Sequence, residues 1–172
     1  CNRVAGDHAF SALHFECGTI ESALIGPVDV LLALHACDTA TDDAIAKGIQ
    51  AGASLILTAP CCHREVRPQL RPPPALAGAF KHGILRERQA EWVTDALRAA
   101  LLEWAGYETK VFEFIATEHT AKNLMIAAVK QPLVAGEETR ANRVRELAAW
   151  FGVQQQRLAQ QRFIVFNHQA IK

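Results

Sequence analysis

Two stretches of almost unbroken apolar sequence, DVLLALHAC (29–37) and ASLILTA (53–59), constrain this chain more than any other feature. A strand with one wet face alternates apolar and polar residues, whereas a run without alternation belongs to a strand covered on both faces. Between the two runs, Thr39 and Thr41 offer N-caps to a helix over 42–51, and Gly52 closes it. Strand, helix and strand in that order predict an α/β fold, with parallel strands joined by a crossover and helices on both faces of the sheet.

The rest of the chain extends the pattern. ALHFECGTI (12–20) reads as a further short strand that closes at Gly18. A proline-rich loop, RPQLRPPPALAG (67–78), leads to an amphipathic helix over 84–105 that Gly106 ends. Its apolar stripe of Trp92, Val93, Leu97, Leu101 and Trp104 is expected in the core. Lys110 to Ala116 and Asn123 to Lys130 read as two more strands with only 6 residues between them. So short a connection cannot make a parallel crossover, so this pair should be an antiparallel hairpin. From Val134 the pattern is helical, broken near Gly152, with a last apolar patch FIVF at 163–166. This divides the chain into a sheet-bearing part, 1–133, and a helical extension packed on it, 134–172.

Eighteen Lys and Arg balance 18 Asp and Glu, which excludes a domain-wide electrostatic grip on nucleic acid. A local basic face remains: Arg64, Arg67, Arg71, Lys81, His82, Arg86 and Arg88 flank the stiff Pro72–Pro74 stretch and offer a track for a phosphate backbone, diluted by Glu65, Glu87 and Glu91. No run approaches the ~18 apolar residues that span a membrane. Five cysteines without framework spacing point to a reducing, cytoplasmic compartment. The chain opens at Cys1 in the middle of a fold-like pattern, so a domain shortened at its N-terminus is expected.

In an open parallel sheet, ligands bind beyond the carboxyl ends of the strands. Those ends hold Cys17, Gly18, Thr19 and Ile20; His35, Ala36, Cys37, Asp38 and Thr39; and Pro60, Cys61, Cys62, His63 and Arg64. The hairpin turn adds Glu118, His119, Thr120, Lys122 and Asn123 at the same rim. His35 or Asp38 can serve as a base, or Asp38 can simply start and cap the helix. Cys61 or Cys62 can be a nucleophile helped by His63 and Arg64, a metal ligand together with His35 and Cys37, or a pocket wall. Adjacent cysteines rarely share one ion and no C-x-x-C is present, so no metal is expected.

The strings LHACDTATDDAI, APCCHRE, GILRER and EHTAKNLMI, spread over residues 12–130, resemble a methyltransferase-like family. It includes the catalytic domain attached to glutathione-transferase-like modules in some eukaryotic proteins, alongside bacterial relatives. A parallel sheet ending in an antiparallel hairpin likewise resembles the C-terminal part of a class I S-adenosylmethionine-dependent methyltransferase, a Rossmann-like fold. The resemblance implies S-adenosyl-L-methionine as cofactor, bound at Gly18, Thr19, Ile20, His35, Ala36 and Cys37. It implies catalytic roles for His35, Asp38, Cys61 and Cys62, and substrate contacts from Pro60, His63, Arg64, His119 and Asn123. The glycine-rich first strand and the acidic end of the second, which hold the methionine and ribose in such enzymes, do not occur in this sequence. The Asp/Asn-Pro-Pro-aromatic tetrapeptide of base-amine methyltransferases is missing too. RNA is the expected acceptor, and a zinc- or thiol-dependent module or an idle partner-binding remnant are the alternatives.

Overall fold

The computed structural model describes residues 1–71, 73–116, 118–120, 122–132 and 136–161. Its elements are α1 (Asn2–Asp7), β1 (Val30–Leu34), α2 (Thr39–Gln50), β2 (Leu55–Ala59), α3 (Gly83–Trp104), β3 (Tyr107–Glu113), β4 (Leu124–Lys130), α4 (Glu137–Phe151) and α5 (Arg157–Gln161). Short 3-10 turns at Arg67–Gln69 and Pro74–Leu76 interrupt the loop between β2 and α3.

The four strands lie in the order β1-β2-β4-β3. β1 and β2 are parallel, while β4 is antiparallel to both β2 and β3. It follows that β3 runs the same way as β2, and the hairpin folds β4 back into the gap between them. The α/β class, the parallel crossover through α2 and the antiparallel hairpin are all as the sequence predicts.

Two expectations are corrected. Residues 12–20 form turns and irregular chain, not a strand. Here the Asn2 side chain donates to the Phe15 carbonyl at 2.8 Å and accepts from its amide at 2.7 Å, tying the segment back to α1 instead of to a sheet. With Phe10, Leu13 and Phe15 exposed, the segment buries too little to hold an extended ladder in place.

The second correction concerns the sheet, which is covered on one face. Strand register puts Leu31, Ile56, Ile126 and Ala128 on the same side, where α2, α3, α4 and α5 build the core with Ile45, Val93, Leu97, Leu101, Val144 and Leu158. Successive crossovers of one hand that advance in one direction place their helices on one face. The opposite face carries Val30, Leu32, Leu34, Leu57, Ala127 and Val129, with Leu32 61% exposed. The sequence therefore reads as buried on both sides where, among the described residues, only one side is.

Helix α2 approaches the sheet closely because of Gly48. A Cβ there would stand 2.9 Å from Ile56 Cδ1 and 3.3 Å from Leu31 Cβ, so a larger residue would push the helix off β1 and β2. Gly152 ends α4 in the left-handed region at φ 71°, its amide and that of Val153 bonding back to Ala149 and Ala148. The FIVF patch at 163–166 lies outside the described residues.

Candidate functional site

The loop that leaves β1 is strained. His35 and Asp38 both have positive φ, 56° and 54°, a region that costs a non-glycine residue about 1–3 kcal/mol. Hydrogen bonds hold it there. The Thr41 hydroxyl donates to the Ala36 carbonyl, and Asp38 Oδ1 accepts the amides of Arg64 and Glu65 at 2.8 and 3.1 Å. Asp38 thus takes the N-cap position of α2 without capping it by its side chain. It clamps the end of β1 to the loop after β2.

Arg98 of α3 completes the clamp from beneath. It is fully buried, donates to the Asp38 carbonyl at 2.8 Å, and pairs with Asp42 and Asp95 at 2.8 and 3.0 Å. Burial alone would lower its pKa, but the two carboxylates more than reverse that and hold the guanidinium charged. Asp95 uses its second oxygen to accept from His63 Nε2 at 3.0 Å. His63 is 4% exposed, and its Nδ1 is left buried without a hydrogen-bond partner. Because a carboxylate only accepts, Nε2 is the donor in this contact, and in the neutral ring Nδ1 carries the lone pair.

His63 and Asp95 line a cleft of about 570 Å³ at the carboxyl end of β2. Pro60 forms one wall, α3 supplies Arg88, Glu91 and Trp92, and the hairpin supplies Glu113, Lys122, Asn123 and Leu124. Glu91 accepts from Lys122 and from Arg88. Burial would raise its carboxyl pKa, but the two cations together bring it below the usual carboxylate range. Asn123 is buried and donates to the Ile115 carbonyl at 2.7 Å, closing the hairpin.

Three thiols occupy the other end of the rim. Cys37 Sγ lies 3.6 Å from Cys61 Sγ, which lies 3.7 Å from Cys62 Sγ. Burial, followed by hydrogen bonding to Cys37 and Cys62, pushes the Cys61 thiol up to about 12. At neutral pH it is protonated and weakly nucleophilic.

The structure thus gathers Pro60, His63 and Asn123 at one cleft, and Cys37, Cys61 and Cys62 in one cluster. His35, Arg64 and His119 are exposed beside the rim and do not line the cleft. Gly18, Thr19 and Ile20 line a separate hollow made wholly of residues 16–24, without His35, Ala36 or Cys37. The residues expected to hold the cofactor therefore do not line one cavity among the described residues.

Sequence reasoning missed Asp95 and misplaced Trp92. The indole, expected in the core, is 57% exposed, meets Phe151 edge-on at 5.2 Å and flanks the cleft. The available signal was the pair Asp95 and Arg98, two charges among the apolar residues Val93, Leu97, Leu101 and Leu102 of α3.

Residues 1–69 match the model of a family described as a methyltransferase domain. The match runs through β1, α2 and β2 and contains both reactive strand ends, 35–38 and 60–64. It supports a methyltransferase domain there, while α3 and the hairpin, which build the rest of the cleft, lie beyond it. No curated protein and no solved structure matches the chain. Among the described residues no helix is long and apolar enough to cross a membrane.

Proposed function

We propose that the chain forms the acceptor side of a class I methyltransferase domain that uses S-adenosyl-L-methionine and acts on RNA. One observation carries the reading: a buried His63, its Nε2 held by Asp95 and its Nδ1 without a hydrogen-bond partner, lines a cleft beyond the carboxyl end of β2. When bound, the donor supplies a methyl group on a sulfonium. An acceptor N–H or O–H that gains this methyl must lose a proton. In this reading His63, whose Nδ1 has no partner, takes that proton, and the Asp95 carboxylate at 3.0 Å from Nε2 stabilises the resulting imidazolium.

RNA as the acceptor is supported by what surrounds this pair. Trp92 offers an aromatic face of the kind on which unpaired bases stack. Farther along, Arg67 and Lys81 of the loop and Arg86 of α3 share a hollow of about 270 Å³ that suits a phosphate. Arg67 is also paired with Glu87 at 2.9 Å, so that hollow is less basic than its composition suggests.

The test is methyl transfer from labelled S-adenosyl-L-methionine by the full-length protein, offered an RNA fraction, a protein fraction and a small-molecule fraction. Label should enter RNA, and His63→Gln should lower kcat by about 10²–10⁴-fold with folding intact. Label in protein instead would refute the RNA assignment. No transfer to any fraction, together with no binding of S-adenosylhomocysteine at millimolar concentration, would refute the enzyme.

A further inference from the structure

The Cys37, Cys61 and Cys62 thiols lie within 4.8 Å of one another, although Cys37 comes from the β1 end and the other two from the β2 end. A tetrahedral zinc–thiolate centre with Zn–S of ~2.3 Å sets neighbouring sulfurs about 3.8 Å apart. The two separations found, 3.6 and 3.7 Å, fall close to that edge. No disulfide scheme satisfies all three sulfurs. Any single bridge leaves one thiol over, and a Cys61–Cys62 bridge would strain the backbone of adjacent residues. Backbone hydrogen bonds from Arg64 and Glu65 to Asp38 fix the two loops relative to each other, so the donors are set before any metal arrives.

We propose that Cys37, Cys61 and Cys62 form a zinc site, three thiolates with a fourth position open to water. Soft sulfur donors favour zinc over the hard divalent cations. Cys37 is exposed, which gives the ion a path in and keeps one coordination position at the surface. Binding converts three S–H groups to three Zn–S bonds and releases three protons to solvent, so the loaded site carries one net negative charge. The ion ties the β1 end to the β2 end beside the cleft. This inference rests on the thiols alone and stands or falls independently of the methyl-transfer reading.

The test is metal loading of the reduced full-length protein in the absence of oxygen. Zinc should bind at one equivalent per chain and release three protons, read in weakly buffered solution. Cobalt(II) in its place should give sulfur-to-metal charge-transfer absorption and the bands of a tetrahedral centre. Cys37→Ser, Cys61→Ser and Cys62→Ser should each weaken binding by more than the ~10–100-fold that loss of a ligand's supporting hydrogen bond costs. Cys17→Ser should change nothing. If a serine variant fails to fold, the proton count and cobalt spectrum of the unsubstituted protein still decide. Fewer than two protons per ion, an octahedral spectrum without charge transfer, or binding unaffected by Cys37→Ser would overturn the site.

Discussion

Arg98 links α3 to α2 and to the loop that leaves β1. One guanidinium pairs with two carboxylates from different helices and donates to the carbonyl of Asp38, a residue at positive φ. Arg98→Ala would strand Asp42 and Asp95 in a dry interior, and breaking a buried pair this way costs about 3–5 kcal/mol. Urea denaturation should report that loss, and one below about 1 kcal/mol would contradict this account. The sequence shows Asp95 and Arg98 at a spacing that normally means a surface pair. Nothing in that spacing reveals Asp42, 56 residues upstream, or the buried position of the trio. Asp38 was equally hard to read. Its place before α2 suggests a cap or a base, and only the fold shows its carboxylate spent on two amides across the rim.

At the scale of elements, periodicity and turn residues brought out β1, α2, β2, α3 and the hairpin, because each spends its apolar residues at a helical or extended spacing. They misled over 12–20, whose strand-like composition has nothing to pair with among the described residues. They also missed how the hairpin loop is tied to α3. Lys122 reaches Glu91 there, and this contact depends on pH. Glu91 is held below its ordinary value of 4.5, so the contact is complete above that pH and is lost as pH falls through the lowered value. Hydrogen exchange should show the Phe114 amide, bonded to Asn123 at 3.0 Å, losing protection as Glu91 is protonated in acid, before the strand amides of β2 do. Equal loss in both would mean that the loop is held by something else.

For the molecule as a whole, the strand runs were legible but the side each would bury was not. Continuous apolar sequence records that both faces of a strand can be covered, not that the described residues supply the cover. One face of the sheet keeps Val30, Leu32, Leu34 and Val129 in contact with water while folded. Unfolding can newly expose only what folding had hidden, and apolar exposure is what raises heat capacity. A typical domain of 172 residues would show an unfolding heat-capacity change of about 2.1–2.6 kcal/mol/K. Calorimetry on the monomer should fall below that range, and a value at its top would mean the face is covered in solution. A small heat-capacity change flattens the curve of stability against temperature. This chain should lose stability gradually on warming and resist cold better than its length suggests, because so much of its apolar surface is wet in the native state.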